Sequence, residues 1–258
     1  MRLPPLPLNA WLRYDVVRRL VPPEVRTVLE IGCGQGAVGT RLASTYDYLA
    51  AEPDDASYAT ARRRLAALGR GEVRHGLCDD VVEPGRSFDL VCAFEVIEHL
   101  PDDEAALREW VQRVRPGGWL LLSTPLSAAR YGPWDELVGH YRRYELAEMT
   151  ALLERVGLVD VTTVGYGAGL GQALEAARDL VGRRRLRATR GRSHAVAPRP
   201  DDPVAMAEAT SGSGRLLQPP DALGVVTEVL SKPFRVAQRA APRTGTGLVA
   251  RARRPLQP

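Results

Sequence analysis

Residues 28–36 read VLEIGCGQG. The apolar run before the glycines has the length and β-branched bias of a buried strand. Residues 37–44 have helix composition, so Gly32, Gly34 and Gly36 fall on a strand-to-helix turn, with Cys33 between the first two. Glycines there let the backbone turn tightly and approach a ligand, and the helix that follows offers free N–H groups. Such a loop suits an adenosine cofactor. Alone it does not choose one, because Gly32-x-Gly34-x-x-Ala37 also passes as a dinucleotide fingerprint.

Outward from this turn, residues 48–51, 73–77, 88–94, 119–124 and 158–164 read as further strands. Helices are expected at 9–20, at 56–68, from Asp102 or Asp103 to about residue 114, and at 145–156. Gly69, Gly71 and Gly157 end helices, and Pro116-Gly117-Gly118 reads as a turn. Strands alternating with helices at this spacing predict parallel βαβ units buried on both faces. Right-handed crossovers then gather the strand C-termini along one edge, where ligands bind. Beyond residue 165 the pattern is less regular. It holds a helix at 172–186, a Pro/Ser/Gly-rich flexible linker at 193–214 and a helix at 225–239, broken or bent at Pro233. Residues 247–252 form a last strand that returns to the sheet.

Composition narrows the class. The 258 residues are 45% hydrophobic and 26% charged, ordinary for a soluble protein with a sizeable core. Cys33, Cys78 and Cys92 show no C-x-x-C spacing, which argues against a disulfide framework or structural zinc and fits a reducing cytoplasm. The first residues lack a signal-type apolar core, and no membrane-length apolar run occurs. The net charge of +4 is uneven: residues 183–192 read RRRLRATRGR, and Lys232 is the only lysine. Arginine forks grip phosphate, which admits RNA as a partner, but solvated arginines are the more common outcome.

Two carboxylates refine the cofactor. Glu30 lies inside the strand end, two residues before the first glycine of the turn. A carboxylate there can accept a hydrogen bond from the amino group of a methionine moiety, whereas a pyrophosphate would be repelled. Glu52 ends the second strand, where an acid accepts ribose hydroxyls in a methyl donor or in NAD alike.

Taken together, VLEIGCGQG, Glu52, FDLVCAFEVIEHLPD at residues 88–102 and VRPGGWLLLSTP at 114–125 resemble the class I S-adenosylmethionine-dependent methyltransferases. The resemblance covers roughly residues 27–157. It implies an α/β, Rossmann-like, seven-stranded and mostly parallel sheet with helices on both faces and an antiparallel last strand, residues 247–252. Residues 1–164 and 244–254 would then form the core, with 165–243 an irregular helical insertion or lid before the last strand. S-adenosylmethionine would be held by Glu30, Gly32, Cys33, Gly34, Gly36, Glu52, Phe94 and Glu95. The family often uses an acid after the third strand for the adenine amino group. Leu77 stands directly after the glycine here, which leaves Asp79 as the choice.

Glu95, Glu98 and His99 are spaced i, i+3, i+4, so a helical turn would place them on one face. Two chemistries fit. His99 acts as a general base on a hydroxyl, with Glu98 orienting its ring. Alternatively all three ligate a divalent metal that acidifies the hydroxyl, and the mixed donors suit Mg, Mn, Fe or Zn. ExxEH followed by His140 resembles the ubiquinone-pathway O-methyltransferases and the small-RNA 3′-terminal 2′-O-methyltransferases. The ligands implied are Glu95, Glu98, His99 and His140. The RNA enzymes carry a denser histidine run where Val138 and Gly139 stand here. Tyr131, Trp134, Tyr141 and Tyr144 either wall a substrate pocket or pack the loop that carries them.

The expected activity is therefore O-methylation of a small-molecule hydroxyl. The alternatives are RNA 2′-O-methylation, which lacks a supporting RNP-type motif, and a non-catalytic module that binds the methyl donor. Glu30 and the EVIEHL string disfavour an NAD-dependent oxidoreductase.

Overall fold

The computed structural model describes residues 3–189 and 219–256. Seven strands form one sheet: β1 (Thr27–Ile31), β2 (Asp47–Glu52), β3 (Glu72–His75), β4 (Phe88–Phe94), β5 (Val114–Pro125), β6 (Val159–Tyr166) and β7 (Gly247–Arg253). Their order is β3-β2-β1-β4-β5-β7-β6. The first five are parallel, and β7 runs antiparallel to both β5 and β6. The expected seven-stranded sheet with an antiparallel last strand is thus observed.

The helices are α1 (Leu8–Leu20), α2 (Gly39–Ala43), α3 (Asp55–Leu68), α4 (Cys78–Val81), α5 (Asp103–Gln112), α6 (Pro133–Val138), α7 (Leu146–Arg155), α8 (Leu170–Thr189) and, after the undescribed stretch, α9 (Gly224–Ala237). Alternation along β1 sends Val28 to one face and Leu29 and Ile31 to the other, as the strand period requires. Leu107 and Trp110 of α5 and Met149, Leu152 and Leu153 of α7 cover the Leu29 face. Trp11, Leu12, Val16 and Val17 of α1, with Leu42 of α2 and Leu65 of α3, cover the Val28 face. Each leucine so buried contributes about 1.5–3 kcal/mol. Asp102 caps α5, accepting from the Ala105 N–H at 2.9 Å.

Two departures from the sequence reading have local causes. β5 starts five residues early: Phe88 pairs with Val114 and Leu90 with Trp119, so Pro116-Gly117-Gly118 bulges within the strand rather than preceding it. Residues 133–138 form α6, which carries no periodic signal; Pro133 supplies a preset first helical residue and Gly139 a left-handed stop.

Between β6 and β7 come α8 and α9. In α9 the small or polar Gly224, Thr227 and Ser231 lie on the sheltered side, while Val225, Val226, Val229, Leu230 and Val236 are exposed. The expected flexible linker at 193–214, and Arg190 and Arg192 of the basic run, lie outside the described residues; Arg183, Arg184 and Arg187 lie exposed on α8. No described helix is long and apolar enough to cross a membrane.

Candidate active site

The turn after β1 is shaped by what it packs against. Gly32 has φ +68°, and a Cβ there would lie 2.8 Å from Val96, so only glycine lets the loop after β4 close on this turn. Gly36 has φ +72° and abuts Ala61 of α3, where an added Cβ would come within 3.0 Å. The N–H of Gly34 donates to Glu52 at 2.6 Å, and the N–H of Asp54 donates to the other Glu52 oxygen at 3.0 Å. Glu52 therefore ties the β1 turn to the end of β2, and burial raises its pKa. Glu30 is buried, accepts a hydrogen bond from the Tyr48 hydroxyl, and is pushed by burial up to about 7.

These groups open onto a cavity of about 520 Å³, a normal size for a small-molecule site. Glu30, Gly32, Cys33, Gly34, Glu52, Phe94 and Glu95 are on its wall. Gly36 is not; its part is in the turn and its packing on α3. Asp79 is also absent from the wall. Its carboxylate bonds Arg113 at 2.5 Å on the outside, because α4 begins at Cys78 and swings the next residue outward. Leu77 and Cys78 face the cavity in its place.

The loop after β4 does not form the expected helical turn from its first residue. Glu95 has φ +59°, and a short 3₁₀ turn begins only at Ile97. Glu95 therefore does not share a helical face with Glu98 and His99, though its charge still acts on both. Its carboxylate accepts from the Ser123 hydroxyl at 3.0 Å and the Tyr166 hydroxyl at 3.3 Å, and pairs with Arg13 of α1 at 3.2 Å. The net effect of Arg13 and these donors, against burial, holds its carboxyl below the usual range. Its carboxylate is not among the ligand atoms that converge with Glu98, His99 and His140.

The other three expected ligands do converge: ligand atoms of Glu98, His99 and His140 lie within 4.8 Å of one another. The imidazole rings of His99 and His140 meet edge to face at 4.6 Å. His140 Nδ1 lies 2.6 Å from Asp135, and His99 Nδ1 lies 3.3 Å from the Gly139 carbonyl. Those contacts assign the Nδ1 protons and leave Nε2 as the free nitrogen of each ring. His140 Nε2 is 4.0 Å from Glu98. Burial and the neighbouring His140 push His99 down to about 3. Glu98 is fully buried, and neither of its oxygens makes a well-formed hydrogen bond with a described residue, although the Thr124 hydroxyl, likewise without one, is near enough to favour the ionised form of Glu98. Burial, reinforced by the charge of Glu95, pushes its carboxyl well up. A buried carboxylate converging with two imidazoles fits a divalent cation.

Of Tyr131, Trp134, Tyr141 and Tyr144, only Trp134 lies on the cavity wall; Tyr144 is buried in the core and Tyr131 and Tyr141 are exposed. The sequence reading missed Arg13, Asp135, Tyr166 and Arg178. Asp135 sits five residues before His140 in a short helix with no periodicity, and the other three arrive from elements far away in the chain.

A family model described as a methyltransferase domain matches residues 10–163, more than half of the chain. The chain belongs to that family, and its sheet is that of a class I S-adenosylmethionine-dependent methyltransferase. A Mycolicibacterium smegmatis protein named as a probable S-adenosylmethionine-dependent methyltransferase is 35% identical over 174 residues, 64% of this chain and 66% of the relative. The ubiquinone biosynthesis O-methyltransferase of Methylobacterium nodulans is 29% identical over 170 residues, 57% of this chain and 66% of the relative. Both matches span just under two thirds of the relatives' own length. The Haemonchus contortus phosphoethanolamine N-methyltransferase 2, solved with phosphomonomethylethanolamine and S-adenosylhomocysteine, has the same fold. Its TM-score is 0.57 at 17% identity, over 94% of this chain and 52% of that one.

Proposed function

We propose that this protein methylates a hydroxyl group of a small molecule, using S-adenosylmethionine and a divalent cation held by Glu98, His99 and His140. The observation that carries this reading is the buried Glu98 carboxylate, which makes no well-formed hydrogen bond with a described residue and converges with two imidazoles. The kinship with an O-methyltransferase of ubiquinone biosynthesis supports a hydroxyl acceptor.

When bound, S-adenosylmethionine supplies a methyl group on a sulfonium, open to in-line attack. A divalent cation supplies acidity to a hydroxyl within its reach. The protein's own work is positioning. Glu52 accepts the ribose hydroxyls with the lone pairs that the Gly34 and Asp54 N–H groups leave free. Glu30 accepts from the ammonium of the methionine part, and the glycine turn lets the backbone approach it. Asp135 orients His140 through its Nδ1 proton. His99 serves as a neutral ligand: a pKa of about 3 is far from the operating pH that an efficient free general base needs. Residues 1–164 and 244–254 act as the catalytic core. Residues 165–243 are an insertion whose helix α8 closes the acceptor side through Glu175 and Arg178. Three unbridged, buried thiols suit a reducing compartment such as the cytoplasm.

The test combines binding and turnover. Calorimetry with S-adenosylhomocysteine should show binding where NADH shows none. Turnover of a catechol panel should stop on exhaustive chelation and return with Mg or Mn. Binding of NADH alone would overturn the cofactor, and chelator-insensitive O-methylation would remove the cation.

A further inference from the structure

Three guanidinium groups line the half of the cavity beyond the glycine turn, and two are already matched by carboxylates. Arg13 pairs with Glu95. Arg143 is gripped by both oxygens of Asp135 and pairs with Glu175, which Arg130 shares. That second group holds two cations against two anions. Arg178 lies on the same wall, yet forms no ion pair or hydrogen bond with any described residue. Its guanidinium carbon lies 6.0 Å from the centre of the Trp134 ring, within reach of a cation–π contact.

The helix that carries Arg178 is held in place. Four residues on, Gly182 sits so close to α6 that an added Cβ would lie 2.8 Å from the Pro133 carbonyl and 2.9 Å from the Trp134 nitrogen. Asp179 accepts from that same Trp134 N–H at 3.3 Å. Rolling α8 to carry Arg178 out to water would break both contacts. Arg178 is half-buried and keeps its charge there; Glu95 and Glu175 act on it only through space, each already paired with another arginine, so among the described residues no carboxylate meets its fork. Its planar fork matches a carboxylate or a phosphate with two parallel hydrogen bonds.

We infer that Arg178 is the anchor for an anionic group on the acceptor, so that the substrate is a hydroxyl-bearing small molecule that also carries a carboxylate or a phosphate. The inference rests on the hydroxyl-methylation reading above and narrows its substrate class.

The test uses matched acceptors, with the full-length protein, saturating methyl donor and Mg or Mn. One pair is 3,4-dihydroxybenzoate against 3,4-dihydroxybenzamide; the other is glycerol 3-phosphate against glycerol. The wild type should favour the anionic member of one pair by at least about tenfold in kcat/KM. The favoured pair tells carboxylate from phosphate. Arg178→Met, which keeps the aliphatic packing on Trp134, should bring that ratio close to one, and Arg178→Lys should restore part of it. Melting temperatures establish that both variants fold. A wild-type ratio at or below one overturns the anchor, as does a ratio that survives in Arg178→Met. So does loss of S-adenosylhomocysteine affinity in Arg178→Met, which would give the arginine to the donor's own carboxylate. If neutral acceptors are methylated without any anion preference, the hydroxyl reading stands and only the anchor falls. If the protein binds S-adenosylhomocysteine but methylates no acceptor, the hydroxyl reading falls and takes the anchor with it.

Discussion

His140 turns its Nδ1 edge to Asp135, 2.6 Å away, and its Nε2 edge toward Glu98. Asp135 is itself held by both arms of the Arg143 guanidinium, at 2.7 and 2.9 Å, so the imidazole is oriented by a rigid, charged partner. Burial opposes ionisation of Asp135, but His140 and Arg143 outweigh it and set its carboxyl at about 2. Asp135 is therefore a carboxylate across the neutral pH range and always available as the acceptor.

Asp135→Asn should weaken divalent-cation affinity by about 10–100-fold, the usual effect of losing a carboxylate behind a ligating histidine. The measurement is a Mn titration of the variant beside the wild type and His140→Ala. Equal affinities in Asp135→Asn and wild type would separate the Asp135–His140 contact from cation binding.

Glu98→Gln addresses the buried carboxyl. In chelator burial keeps the Glu98 carboxyl protonated at neutral pH, so Glu98→Gln exchanges one neutral group for another and should leave the melting temperature close to that of the wild type. Adding Mg or Mn should raise the melting temperature of the wild type and leave that of the variant unmoved. A wild type indifferent to both ions would contradict a cation at Glu98.

Glu52→Ala should weaken S-adenosylhomocysteine binding by about 10–100-fold, since hydrogen bonds to a charged group are worth about 1.5–3 kcal/mol. Glu52→Gln, which keeps one acceptor oxygen, should lose less. Calorimetry decides, and unchanged affinity in the alanine variant would remove Glu52 from the cofactor site.

Glu30 makes cofactor affinity depend on pH. Its pKa in the free protein is raised to about 7 by burial, and a cofactor ammonium favours the ionised form. Below that pKa a proton must leave before the ammonium is matched, so binding weakens as pH falls. By linkage, S-adenosylhomocysteine should bind about tenfold more weakly at pH 6 than at pH 8. Glu30→Gln should flatten the profile, and a wild-type profile already flat would show that the ammonium does not meet Glu30.

Much of the framework is legible in the sequence. The run at 28–36, the acid at Glu52 and the apolar strand at 88–94 are local patterns, each set by residues adjacent in the chain, and the βαβ rules connect them. They located the cavity wall from Glu30 to Glu95, with Asp79 and Gly36 off it. Asp79 lies off that wall, paired with Arg113, because the direction of α4 depends on packing rather than on spacing. The helical face proposed for Glu95, Glu98 and His99 failed because Glu95 takes a left-handed conformation that lets it meet Arg13, Ser123 and Tyr166.

The sequence by itself determined the order of the strands along the chain, the glycine turn and the donor-side acids, because these depend on local periodicity and on the backbone freedom of glycine. Only the tertiary structure decided which charges meet. Arg13 and Arg178 reach the cavity from α1 and α8, and Asp135 lies behind His140 because α6 ends at Gly139. Pairing, burial and orphaned polar atoms are relations between distant residues, set by packing, and no spacing rule along one strand of sequence encodes them.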